Sequence, residues 1–146
     1  MRIHEWADHT ATLRINGEAV SITAGTFACI EREWKDSDRI EADFPYHLYG
    51  SRMEDRPEYI SVFYGSHLLV ACTEGFAEFD GTRQVLLNSL VPAGKPNEFE
   101  TVFKTGRTVF RPICDVVEEE YNGYTIITKP VPFPAAFAPY RAKNYG

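Results

Sequence analysis

Asn16-Gly17 sits between two short runs, residues 11–15 and 18–22, the first of which alternates apolar and polar side chains without a break. This dipeptide accepts the positive φ angles of a type I′ turn, and few local signals specify a β-hairpin more firmly. Similar grammar recurs along the chain. Residues 1–7 read as the end of a strand already in progress, as in a domain continuing something larger. Residues 26–34 form a candidate strand after Gly25, with Ala28, Ile30, Arg32 and Trp34 on one face. Ile40, Ala42 and Phe44 alternate with Glu41 and Asp43, predicting one buried and one wet face before Pro45 closes the strand.

Residues 46–57 lack a clean period and read as a loop. Residues 59–64 and 68–72 are nearly unbroken apolar runs on either side of Gly65, as expected of central strands covered on both faces. The stretch 74–97 is punctuated by Gly and Pro, and 84–91 within it suits a short helix or a short strand. Two further strands, 99–104 and 108–113, flank a turn at Thr105-Gly106-Arg107, and 124–128 forms the last. Pro130, Pro132, Pro134 and Pro139 then mark a tail, since proline cannot donate to a ladder. About nine short, evenly spaced strands with almost no helical period predict an all-β fold: an antiparallel, jelly-roll-like β-sandwich over residues 1–128, followed by a Pro-rich tail over 129–146.

With 146 residues, 44% of them hydrophobic and 14% aromatic, the chain has material for one core of domain size. A formal charge of -6 disfavours nucleic acid and anionic membranes, which reward clustered Lys and Arg. No apolar run approaches the roughly 20 residues of a bilayer span. The first residues lack the order of a secretory signal, so the expected location is the cytoplasm. Cys29, Cys72 and Cys114 are odd in number and set among apolar neighbours, which predicts buried free thiols.

Several segments, in order, resemble the C-terminal β-sandwich of glycoside hydrolase family 127 proteins, the β-L-arabinofuranosidase-like group. Met1-Arg2-Ile3-His4-Glu5-Trp6-Ala7 is similar to the family's L-R-I-P-G-W-A, and residues 15–20 to its V-N-G-E-P-V hairpin. Residues 30–38 resemble I-x-R-x-W-K-x-G-D, and Phe44-Pro45-Tyr46 takes the place of L-P-M. Residues 59–71 resemble Y-V-A-F-L-Y-G-P-I-V-L-A, with Leu90-Val91-Pro92 and Phe110-Arg111-Pro112 as closing elements. His4-Glu5 in place of Pro-Gly, Ser66-His67 in the family's proline neighbourhood and Cys114 in place of an aromatic mark a divergent member. In that family the catalytic cysteine, its zinc ligands and the acid/base glutamate lie in an α/α barrel N-terminal to the sandwich. The resemblance therefore implies an accessory, non-catalytic domain whose partner is a catalytic α/α barrel or a second copy of itself, with no catalytic residue, metal or cofactor carried over.

The residues themselves leave two binding alternatives open. Trp6, Tyr46, His47 and Tyr49 lie at expected strand ends or in loops, where binding groups usually sit, and are candidates for stacking on an oligosaccharide. Against this, packing of Trp6 and Trp34 in the core or at a domain interface is the favoured reading, since large aromatics dominate both. Glu31 with Glu33, and the Glu118-Glu119-Glu120 run, supply carboxylates but read as solvated surface, not as the spaced acid/base pair of a glycosidase. His4 and His9 lack the paired Cys or His spacing of a zinc site.

Overall fold

The computed structural model describes residues 1–131, so most of the expected tail lies outside the described residues. Among the described residues, eleven strands form sheets of three and eight, giving the all-β sandwich class expected from the turn spacing, with two strands more than the sequence suggested. Two compact units are distinguished, Met1–His47 and the residues from Leu48 on.

In the first unit, β1 (Thr12–Ile15) pairs antiparallel with β2 (Glu18–Val20) and on its other edge with β3 (Ile40–Asp43). Asn16 and Gly17 take φ of 52° and 84°, as the type I′ turn requires. The Asn16 side chain also ties the turn to the segment before β3: its amide donates to Asp38 Oδ1 at 2.8 Å, and its carbonyl accepts from Arg39 N at 2.9 Å. Leu13 and Ile15 are buried, whereas Ile40 is 51% exposed and Ala42 is exposed, so the buried face expected of β3 is open to solvent.

Residues 1–7 and 26–34 are not strands beyond a single bridge, Arg2 with Phe27. Their backbones meet through isolated bonds instead. Ile3 N donates to Thr26 O, Gly25 N to Ile3 O and Ala28 N to Met1 O, at 2.8 to 3.1 Å. Past that contact, Arg32 stacks over Trp34 at 5.3 Å and reaches Asp38 at 3.5 Å, so alternation in 30–34 serves an exposed loop.

In the second unit the strand order is β7 (Glu78–Phe79), β11 (Thr125–Ile127), β5 (Tyr59–Tyr64), β6 (His67–Cys72), β10 (Gly106–Pro112), β9 (Phe99–Phe103) and β8 (Val91–Pro92), with β4 (Leu48–Arg52) pairing β5. The pairings are antiparallel except β11 with β7, which is parallel. β4 falls where a loop was expected. Its sequence does not alternate cleanly, and its order comes from a five-residue register with β5. Pro92 lies in a terminal strand, where no partner needs its missing N–H.

The ambiguous segment resolves as a helix, α1 (Arg83–Ser89), capped by Thr82, whose hydroxyl accepts from Val85 N at 3.3 Å. Leu86 of α1 joins Ile60, Val62, Leu69, Phe79, Phe99, Phe103, Phe110 and Ile127 in the core. Edge-to-face contacts of Phe103 with Phe79 and Phe110, at 6.1 and 5.9 Å, knit it together. The three thiols are free, but not buried as expected. Cys29 lies in irregular backbone and Cys114 in a short 3-10 turn over Ile113–Asp115, both at the surface, while Cys72, at the end of β6, is half-buried.

Candidate functional site

The sequence candidates Trp6, Tyr46 and His47 all belong to the first unit. Trp6 sits on the turn after Ile3 and Tyr46 follows the Pro45 that ends β3, so two distant segments bring their rings together. His4 stacks on Trp6 at 5.5 Å with the planes 12° apart. Tyr46 and Phe44 meet Trp6 edge-on at 5.1 and 6.3 Å, and Phe44 also meets His4 edge-on at 6.5 Å. Offset stacking and edge contacts of this kind each contribute roughly 0.5–1.5 kcal/mol beyond area burial.

In the sequence His4 is weighed only as a zinc ligand, and Phe44 not as a site residue at all; neither is a candidate for stacking. The available signal was spacing: each lies two residues before a chosen aromatic, which in extended backbone puts the pair on one side. Trp6 is half-buried and Trp34 is 49% exposed, so neither is a core residue.

Beside the cluster, His47 Nδ1 lies 3.5 Å from Asp8 Oδ2. Asp8 accepts from the Thr10 hydroxyl at 2.5 Å and from Thr10 N at 2.8 Å. Those two bonds, the hydroxyl's first, hold the Asp8 carboxyl below the ordinary carboxylate range, with His47 and His9 adding to the effect. Asp8 is therefore a fixed acceptor, not a proton donor.

Tyr49, on β4, belongs to the second unit. Its ring stacks on Phe63 at 5.1 Å and its hydroxyl donates to Gly65 O at 3.1 Å, while burial pushes its pKa up. Both its face and its polar tip are thus engaged within the sheet.

The carboxylates assessed for acid/base work are arranged differently from a glycosidase pair. Glu31 and Glu33 sit in the exposed loop before β3. Glu119 accepts from its neighbours' backbone, Val117 N at 3.2 Å and Glu118 N at 3.3 Å, and pairs with Arg111, which also binds Glu98 at 2.6 Å. Backbone N–H groups first, and then Arg111, bring Glu119 down to about 2, the opposite of the raised pKa a general acid requires. Among the described residues, no three His, Cys, Asp or Glu side chains gather into a metal-binding group.

Residues 1–46 match the family model for the middle domain of glycoside hydrolase family 127, β-L-arabinofuranosidase. No curated protein matches the sequence. One similar solved structure, titled a glycoside hydrolase, superposes with a TM-score of 0.60 at 14% identity over 88% of this chain. The chain spans 27% of that structure's length, and the likeness is one of fold.

Proposed function

We propose that this chain is a non-catalytic accessory region of a glycoside hydrolase family 127-like protein, cytoplasmic, whose work is to pack against a catalytic α/α barrel. The match of residues 1–46 to that family's middle domain carries the reading. A second observation supports the order of parts. The first compact unit ends at His47, one residue past the matched segment. In this reading residues 1–46 belong with the middle domain, and the residues from Leu48 on form a C-terminal β domain.

Mixing the chain with a separately produced α/α barrel domain of a family 127 enzyme tests this directly. Sedimentation should show a one-to-one complex, and the chain alone should leave p-nitrophenyl arabinofuranoside unhydrolysed. Turnover by the chain alone, lost when one carboxylate is changed to its amide, would overturn the reading.

The gathered rings of His4, Trp6, Phe44 and Tyr46 favour a second reading, a carbohydrate-binding module. It requires Trp fluorescence to change on titration with arabino-oligosaccharide and Trp6→Ala to abolish that change. A flat titration at millimolar sugar removes it.

A further inference from the structure

Two segments of the second unit meet beyond the end of β6: a bend over Thr73 to Phe76, and the irregular stretch Glu119 to Asn122, which ends in an isolated bridge. They are fastened to each other by backbone and side chain together. Ala71 and Asn122 exchange N–H···O bonds of 3.0 and 2.9 Å, and the Asn122 side-chain amide donates to Gly75 O at 2.7 Å and Thr73 O at 3.4 Å. Gly75, at φ 70°, supplies the left-handed residue that turns the chain, and nothing lies within 4 Å of where its Cβ would be. Between these braced segments lies an open cleft of about 510 Å³, with Thr73, Phe76, Glu120 and Tyr121 on its walls.

What the cleft displays is unusual for a surface held this firmly. Phe76 is 77% exposed and Tyr121 is 49% exposed, each next in sequence to a residue held by the Asn122 bonds, Gly75 and Asn122 itself. Among the described residues, neither belongs to the core of the second unit. The same cleft is lined by the Glu120 carboxylate and by the Thr73 hydroxyl, which donates a long 3.4 Å bond to Glu74 O and keeps its oxygen as an acceptor. The neighbouring Glu119 is already engaged by Arg111 and by backbone N–H groups.

We propose that this cleft binds a neutral oligosaccharide. The C–H face of a sugar ring would lie on Phe76 or Tyr121, and Glu120 and Thr73 would hold its hydroxyls. A sugar presents an apolar face bearing slight positive charge and a rim of hydroxyls that both donate and accept. Exposed π faces, which are slightly negative, beside a carboxylate and a hydroxyl complement both parts. An anionic ligand would meet the charge of Glu120, and a purely apolar one would leave that carboxylate facing it. A cationic peptide could also use the rings and Glu120, so it is an explicit arm of the test. The site goes beyond the accessory reading and shares no residue with the Trp6 cluster.

The test is a ¹H–¹⁵N NMR titration of the full chain with xylohexaose, cellohexaose and arabinohexaose, and in parallel with a lysine-rich peptide. At least one sugar should shift the amides of residues 73–76 and 119–122, with a Kd in the range of ~1 mM. Phe76→Ala or Tyr121→Ala should weaken binding at least tenfold with an unchanged melting temperature, since both rings face solvent. Trp6→Ala should leave this response intact, which separates failure here from failure of the first-unit carbohydrate reading. The proposal is overturned if none of the three sugars moves those amides at ~10 mM, if neither variant weakens the response, or if the peptide alone binds there and salt removes it.

Discussion

Arg111 shows how one side chain can decide the electrostatics of a strand. It lies on β10, its side chain largely buried, and bridges Glu98, which is 7% exposed, and the exposed Glu119. Truncating it would strand the Glu98 carboxylate out of water. Losing one partner of a buried pair costs roughly 3–5 kcal/mol, more than the intact pair contributes. Arg111→Ala should therefore lower the urea midpoint sharply, and Glu98→Gln on that background should recover part of the loss. Glu119 carries a pH consequence. Its carboxyl titrates at about 2 in the folded chain against an ordinary 4.5, so the folded state takes up that proton less readily than the unfolded one. Its stabilising contribution is complete above about 4.5 and drains away as the pH falls toward about 2. Urea midpoints measured at pH 6 and pH 3 should differ less in Glu119→Gln than in the unaltered chain. Equal differences would show that the backbone bonds to Glu119 carry no linkage.

At the level of elements, the features readable from sequence are those whose causes are local. The Asn16-Gly17 hairpin formed as expected because two adjacent residues hold the positive φ values it needs. Gly17→Ala would keep free space around the new Cβ but force an L-residue to φ 84°, at roughly 1–2 kcal/mol. A drop in melting temperature, with the amide signals of β1 and β2 still dispersed, is the expected result. Thr82→Ala removes the cap of α1 and should cost about 1 kcal/mol by urea denaturation. β4 was not legible, because Leu48-Tyr49-Gly50-Ser51-Arg52 has no clean alternation and becomes a strand through its partner β5. The opposite error fell on residues 26–34, whose alternation met no neighbouring strand beyond Phe27. The same reasoning applies to the candidate sites. Trp6 and Tyr46 were identified from residue type and place, but the meeting of the His4–Trp6 pair with Phe44 and Tyr46 is tertiary. Phe76 and Tyr121 carry no motif at all, and it is the long-range pairing of Asn122 with Ala71, Thr73 and Gly75 that brings their segments together.

For the molecule as a whole, the accessory reading makes a demand on the surface: some apolar area must be available to a partner. The first unit meets it with Phe27 at 67%, Trp34 at 49% and Ile40 at 51% exposure. Ile40 lies on β3, an edge of the three-stranded sheet, in register with the buried Ile15. Solvent-exposed isoleucine on a sheet edge invites association, and interface energy concentrates in a few such residues. Ile40→Glu should change the stability of the chain by no more than about 0.5 kcal/mol, because the side chain already faces water. It should nevertheless weaken association with the α/α barrel domain at least tenfold, about 1.4 kcal/mol. Sedimentation of the mixture, with the melting temperature of the variant as control, reads both quantities. If the complex forms equally well with glutamate at that position, β3 does not face the barrel, and the docking surface must be sought elsewhere, first at Trp34.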